Sequence, residues 1–165
     1  MTAAPLMTSV KQRKTIHNSL TFGTNLMSFL VGSEETGGNF SLLEVSARPG
    51  SEPPYHIHER EDETFYLLEG RVGVMLDGVV HELVPGDSIF LPRGIPHTFR
   101  IRSEYSRSLA IITPSGFEGF FKMLGEPARS LDIPEPGSLP ADYFERVGRA
   151  SAQYGVRLAD VQPVF

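Results

Sequence analysis

The stretch that decides the fold is residues 50–70, GSEPPYHIHEREDETFYLLEG. It places His56 and His58 two residues apart, and Glu63 follows five residues after the second histidine. In an extended strand, residues i and i+2 project from the same face, so both imidazoles can reach one point. A glycine at each end of the stretch suits turns that need a positive φ. The pattern therefore indicates a strand that carries two candidate ligands, with a carboxylate nearby.

A second stretch, residues 86–101 (GDSIFLPRGIPHTFRI), places His97 after a turn rich in proline and glycine. Imidazole and carboxylate groups together suit divalent Fe, Mn, Ni, Cu or Zn. Each candidate also has a simpler interpretation. The histidine pair can lie on an exposed strand, Glu63 can be one more solvated acid of residues 59–63, and His97 can bond only to backbone.

The flanking sequence predicts an all-β sandwich or closed barrel. From residue 15 to about 113, short segments rich in Val, Ile, Leu, Phe and Thr alternate with turn residues. Asp77-Gly78 predicts a tight hairpin, and Glu69-Gly70 predicts a similar turn. The predicted strands are Leu26–Val31, Phe40–Ala47, Thr64–Leu68, Val72–Leu76, Val79–Leu83, Ser88–Leu91, His97–Arg102 and Leu109–Thr113.

The character of the sequence changes after residue 114. Ser115 and Glu118 form an S-x-x-E capping box, which predicts a helix. We expect its apolar stripe to pack on the barrel, and a lid or a ligand wall is the alternative. A second helix is predicted from residue 141 to about 154. The predicted buried positions of the two helices are Phe117, Phe120, Phe121, Leu124, Phe144, Val147 and Tyr154.

The chain is therefore divided into a flexible arm (1–14), a barrel (15–114) and a helical appendage (115–165). Its 165 residues include five histidines and no cysteine, which excludes disulfides and thiolate metal sites. A formal charge of -5 argues against general nucleic-acid binding. The longest apolar runs are too short to cross a bilayer. We expect a cytoplasmic protein without a membrane or nucleic-acid partner.

The two stretches resemble the motifs of the cupin superfamily. The first motif, G-x5-H-x-H-x(3,4)-E-x6-G, is matched at every fixed position within residues 50–70. The second, G-x5-P-x-G-x2-H-x3-N, is matched except at its last position, which is Ile101. The resemblance implies a cupin double-stranded β-helix (jelly-roll) barrel with two short C-terminal helices. It also implies one divalent transition metal ion held by His56, His58, Glu63 and His97.

Strand alternation predicts which side chains share the interior with the candidate ligands. If His97 points inward, alternate residues of the same strands point inward as well. These predicted pocket residues are Pro54, Phe65, Leu67, Phe99 and Ile101. Such an apolar pocket suits an aromatic or hydrophobic small-molecule substrate. His17 and His81 match no motif position and are left out of the site.

Within the cupins, the chain resembles small bacterial quercetin 2,3-dioxygenase-like proteins, through HIHEREDETFYLLEGRV and GDSIFLPRGIPHTF. This resemblance implies dioxygenation of a flavonol or another enolisable aromatic substrate, with dioxygen as co-substrate. Glu63 is the predicted general base. The alternatives are a metal-dependent cyclase or isomerase of a polyketide-like phenol, and a binding protein without turnover. The family also implies a homodimer, in which residues 15–31 either exchange between chains or close their own barrel.

Overall fold

A computed structural model describes residues 13–50, 52–137 and 140–165. Within these ranges the chain forms twelve strands, three α-helices and one turn of 3-10 helix at Ile16–Asn18. The strands are β1 (Ser19–Phe22), β2 (Asn25–Val31), β3 (Ser41–Ala47), β4 (His56–His58), β5 (Asp62–Glu69), β6 (Val72–Leu76), β7 (Val79–Leu83), β8 (Ser88–Leu91), β9 (His97–Ile101), β10 (Ser106–Thr113), β11 (Glu126–Pro127) and β12 (Val156–Leu158). The helices are α1 (Ser33–Thr36), α2 (Glu118–Leu124) and α3 (Tyr143–Tyr154).

The described strands form two antiparallel sheets whose inner faces meet. The seven-stranded sheet has the order β11-β1-β2-β3-β10-β5-β8, and the five-stranded sheet has the order β12-β4-β9-β6-β7. Every predicted strand has a counterpart, with ends shifted by a few residues. The predicted all-β fold with two short C-terminal helices is confirmed.

The core lies between the two sheets. One cluster of buried side chains spans both sheets and comprises Leu67, Val72, Val74, Leu83 and Leu91. A second cluster joins the inner face of the seven-stranded sheet to α2, and comprises Leu43, Ala110, Ile112 and Phe117. Burying each large apolar side chain stabilises the fold by about 1.5–3 kcal/mol.

Two predicted turns have different outcomes. Asp77 and Gly78 connect the paired strands β6 and β7 with φ values of 48° and 77°, so this hairpin is confirmed. The prediction of a similar turn at Glu69-Gly70 is wrong, because β5 and β6 lie in different sheets. Gly70 has a φ of 87° and lies directly against the backbone carbonyl of Tyr105. It therefore makes the corner where the chain crosses from one sheet to the other.

The apolar stripe of α2 packs on the barrel as predicted. Phe117 and Leu124 are buried, and Phe120 and Phe121 pack against the second cluster. The hydrogen bonds at the start of this helix differ from the predicted ones, however.

The predicted capping box does not form. The Ser115 hydroxyl bonds instead to the Ser33 hydroxyl at 2.6 Å. The Glu118 carboxylate accepts hydrogen bonds from the backbone N–H groups of Gly116 (2.7 Å) and Ser33 (3.2 Å). Ser33 lies on the nearby α1, and local sequence does not reveal that contact.

Helix α3 packs through two of its three predicted positions, and the third is wrong. Phe144 is 78% exposed, so its predicted burial is wrong. Ala150 is fully buried, Val147 is half-buried, and Tyr154 packs against the ring of Phe117. At about 100° per residue, Phe144 lies roughly 120° around the helix from Ala150 and roughly 80° from Tyr154, so it falls at the edge of the buried face.

The C-terminal segment also adds two strands that sequence patterning missed. β11 pairs with β1 at the edge of the seven-stranded sheet, and β12 pairs with β4 in the five-stranded sheet. Strands of two or three residues are too short to show a period. The helical appendage is therefore joined to both sheets, and the domain boundaries at residues 14 and 114 stay a prediction.

The N-terminal part of the described chain closes its own sheet. β1 and β2 pair with each other, and β2 pairs with β3. Most of the predicted arm, residues 1–12, lies outside the described residues, whereas the Lys14 ammonium lies 3.1 Å from the Glu44 carboxylate. In the described ranges, every helix is too short or too polar to span a bilayer.

Replacing Gly70 by alanine is expected to lower the free energy of unfolding by about 2–4 kcal/mol. An added Cβ would meet the Tyr105 carbonyl and would also have to adopt a positive φ. Gly78→Ala is the matched control, because it has a similar φ but nothing within 4 Å of the added atom. The control should lose only about 1–2 kcal/mol. Urea unfolding of both variants measures the difference, and equal losses would contradict the predicted contact.

Candidate metal centre

The two histidines of β4 and the histidine that begins β9 meet on the inner face of the five-stranded sheet. His56 pairs with His97 in the register of β4 and β9. The Nε2 atoms of His56 and His58 lie 3.1 Å apart. One nitrogen from each of the three rings lies within 4.8 Å of the others. All three side chains are buried, with exposures between 2% and 8%.

Glu63 reaches the same point from the opposite sheet. It lies on β5, and its Oε2 atom is 3.5 Å from His97 Nε2 and 3.9 Å from His58 Nε2. Its exposure is 6%. The structure therefore brings together all four residues that the sequence assigned to the site.

Backbone carbonyls fix the direction of two of the rings. His56 Nδ1 lies 2.8 Å from the Pro54 carbonyl oxygen, and His97 Nδ1 lies 3.1 Å from the Ile95 carbonyl oxygen. A carbonyl oxygen only accepts, so each Nδ1 carries the proton and each neutral ring presents an Nε2 lone pair to the centre. Metal-binding histidines are held in the same way, by a hydrogen bond at the other ring nitrogen.

The donor set fits a divalent transition metal ion. The buried atoms His97 Nε2 and His58 Nδ1 have no hydrogen-bond partner among the described residues. Ligand atoms at about 2.1 Å from a common ion lie roughly 3 Å apart, close to the separations of the converging atoms here. Three nitrogens and one carboxylate oxygen are the ligands that such ions accept.

Burial and neighbouring groups set the protonation states of His56, His58 and Glu63. Burial, followed by the neighbouring His97 and His58, lowers the pKa of His56 from 6.5 to about 3. Burial also lowers the pKa of His58, although Glu63 opposes this shift. Burial raises the pKa of Glu63, but the His58 and His97 rings outweigh burial and hold it at about 2. Near neutral pH these shifts keep His56 and His58 neutral and Glu63 ionised.

Comparison with known proteins identifies the family. The model of the cupin domain matches residues 43–112, which include all four candidate ligands. Quercetin 2,3-dioxygenase of Bacillus subtilis (strain 168) is 33% identical over 121 residues, which cover 73% of this chain and 36% of that protein. The chain belongs to the cupin superfamily.

Other matches agree with this assignment. Quercetin 2,3-dioxygenase of Aspergillus japonicus is 31% identical over 119 residues, which cover 67% of this chain and 33% of that protein. This cupin thus spans about a third of the length of the curated relatives it matches. The solved structure of KdgF from Halomonas sp. has a TM-score of 0.52 at 21% identity, covering 58% of this chain and 84% of that one. That likeness shows the fold alone.

Four of the five predicted pocket residues face the interior of the cupin barrel. Phe65 and Phe99 are half-buried, and their rings meet edge to face with centroids 6.1 Å apart. Leu67 and Ile101, one step further along the same strands, are 1% and 7% exposed. The prediction is wrong for Pro54, whose side chain is exposed because the chain before β4 is not yet in the sheet. Pro54 contributes its carbonyl oxygen to the site instead.

Phe117 is a residue of the site that sequence reasoning did not assign to it. Its ring lies edge to face against His58, with centroids 4.5 Å apart, and its side chain is 2% exposed. The sequence signal for this role was the phenylalanine stripe of α2. That stripe was expected to pack on the barrel, and a wall of the ligand pocket was the alternative. Phe117 does both, since it also stacks on Phe120. His17 and His81 are exposed and lie outside the site, as expected.

The stability of the metal-free cupin is expected to fall as the pH decreases from about 6.5 towards 3. His56 has a lower pKa in the folded protein than in the unfolded chain, so the unfolded chain takes up a proton first. This single group contributes a slope of up to about 1.4 kcal/mol per pH unit. The Glu63 contribution is present above pH 4.5 and is lost as the pH falls towards 2.

Urea unfolding in the presence of a chelator, repeated between pH 7 and pH 5, measures this slope. His56→Gln should flatten the profile in this range, because it removes the group that titrates differently in the two states. His81→Gln, an exposed histidine on β7, is the matched control and should keep the wild-type slope. An unchanged slope in His56→Gln would contradict the assigned role of burial.

Proposed function

We propose that this cupin is a metal-dependent dioxygenase that acts on a flavonol-like or another enolisable aromatic substrate. The observation that carries the proposal is the convergence of the His56, His58 and His97 rings with the Glu63 carboxylate in an apolar barrel. The similarity to two quercetin 2,3-dioxygenases supports the reaction class. The fold alone would not support a reaction class, because the same barrel serves many functions.

In the proposed mechanism, His56, His58, His97 and Glu63 would hold a divalent ion, which would supply the Lewis acidity that stabilises negative charge on the substrate oxygen. Glu63 accepts the proton of the substrate hydroxyl, because its carboxylate is ionised and directed at the centre of the site. His56 and His97 keep their Nε2 lone pairs directed inward through their bonds to backbone carbonyls. Neutral imidazoles add no charge, so they leave the Lewis acidity of the ion high.

Three aromatic side chains near the candidate ligands favour an aromatic substrate. Phe65 and Phe99 lie one step along β5 and β9 from the candidate ligands, and Phe117 covers His58 from α2. Aromatic rings pair favourably edge to face or offset-stacked, and each pair adds about 0.5–1.5 kcal/mol beyond area burial. The same rings exclude water, which protects a deprotonated substrate from reprotonation.

A homodimer and a cytoplasmic location remain part of the proposal. For association, the supporting observation is the outer face of the seven-stranded sheet. It exposes Tyr66, Phe90 and Ile111 on neighbouring strands, with exposures of 42%, 55% and 38%. Adjacent exposed apolar side chains of this kind favour contacts between proteins.

Purified protein is expected to contain one divalent transition metal ion per chain and to consume dioxygen when a flavonol is added. Metal analysis and an oxygen electrode, with flavonols and simpler enolisable phenols as substrates, measure both. Turnover under anaerobic conditions would favour the cyclase or isomerase instead. Bound metal without turnover of any of these compounds would favour a binding protein, and either result would overturn the dioxygenase proposal.

Glu63→Gln is expected to lose far more activity than metal. Three histidines remain as ligands, whereas the group that accepts the proton is gone, and such a group contributes typically about 10²–10⁴-fold to the rate. Glu59→Gln is the matched control, because Glu59 lies in the loop just before β5 but is half exposed and faces Arg157. If Glu63→Gln kept full turnover and lost its metal, the role of Glu63 as base would be wrong.

A further inference from the structure

The strand that carries His56 and His58 depends on the C-terminal segment for its pairing. β4 pairs with β12 at all three of its positions, but with β9 only at His56. The backbone N–H of Glu59, just after β4, donates to the Gly155 carbonyl at 2.9 Å. The position of the two histidines is therefore determined largely by residues about a hundred positions away in sequence.

The residue before His56 is held by a glutamine side chain. The N–H of Tyr55 donates to Gln162 Oε1 at 2.9 Å, and Gln162 Nε2 donates to the Tyr55 carbonyl at 2.8 Å. The Ala159 N–H donates to the same carbonyl at 3.0 Å. The Gln162 amide thus pairs with the backbone of Tyr55 as a neighbouring strand would. Tyr55 is the residue just before the start of β4.

One peptide group links Gln162 to a candidate metal ligand. The peptide bond between Pro54 and Tyr55 donates its N–H to Gln162 and accepts His56 Nδ1–H at its carbonyl oxygen, 2.8 Å away. The two hydrogen bonds lie at opposite ends of the same peptide dipole. Donation by the N–H polarises the peptide and makes its carbonyl a better acceptor.

We infer that Gln162 is a positioning residue for the metal centre. It fixes the plane of the Pro54–Tyr55 peptide, and that peptide holds the proton of His56 on Nδ1, so that Nε2 stays free to bind the ion. The inference rests on the metal centre of the proposed function. It adds a residue that lies outside the matched cupin domain and does not touch the ligand atoms.

A purely structural role makes a different prediction. If Gln162 only fastened the C-terminal segment, its loss would lower stability and leave the His56 ring as it is. If it acts through the peptide, its loss changes the His56 hydrogen bond and the metal affinity. Gln162 lies at the surface, so its replacement should leave the fold intact.

The test is Gln162→Met, which keeps the length of the side chain and removes both hydrogen-bonding groups. Ni²⁺ titration by calorimetry should show an affinity about tenfold weaker than that of the wild type. This is the lower end of the loss found when the hydrogen-bond partner of a ligating histidine is removed. Gln153→Met is the matched control, since Gln153 is an exposed glutamine of α3 whose backbone carbonyl, and not its side chain, bonds to Arg60. It should bind Ni²⁺ as the wild type does.

Nitrogen-15 NMR of the metal-free protein supplies a second measurement. The His56 signal should indicate a proton on Nδ1 in wild type, and a mixture of the two tautomers in Gln162→Met. Lower thermal stability with unchanged Ni²⁺ affinity and an unchanged His56 signal would overturn the inference and leave the proposed function standing. A wild-type protein that bound no Ni²⁺, Zn²⁺, Mn²⁺, Cu²⁺ or Fe²⁺ would overturn both.

Discussion

Three imidazole nitrogens and one carboxylate oxygen converge inside an apolar barrel, where His97 Nε2 and His58 Nδ1 have no hydrogen-bond partner among the described residues. His56 and His58 bring their Nε2 atoms to 3.1 Å, and Glu63 adds an ionised oxygen 3.5 Å from the third ring, His97. Burying such groups without a partner costs free energy, which the rest of the core must offset. A cation at the point of convergence would bind the inward-facing lone pairs and stabilise the folded protein, as metal sites do when they couple binding to folding.

The fold holds these groups through backbone contacts on both sheets. Carbonyl oxygens of Pro54 and Ile95 orient two of the rings, while β4 and β9 place the histidines opposite the carboxylate of β5. Apolar side chains fill the space beyond the ligands, and the ring of Phe117 closes against His58. The low dielectric that these walls create strengthens every electrostatic interaction in the site, favourable or not.

The ligands could be predicted from sequence because their signal is local. His56 and His58 share a strand face by simple alternation, and the surrounding glycines and prolines mark the turns. The features that sequence missed depend on distant partners. Ser115 bonds to Ser33 instead of capping its own helix, and Phe144 is exposed because it lies at the edge of the face that α3 packs against α2. Strand β12 has three residues and exists because β4 offers an unpaired edge.

The features that this chain shares with other cupins also lie in a different part of the sequence from those that distinguish it. The ligands lie within the matched cupin domain, whereas Phe117, β12 and Gln162 lie beyond it, in the C-terminal segment. That segment covers His58 with the ring of Phe117 and supplies β12, the strand that pairs with β4. Since a shared barrel and ligand set permit many reactions, selectivity must come from groups added around them. In this molecule, the C-terminal segment contacts the centre through Phe117, so under the proposed function its side chains would select the substrate.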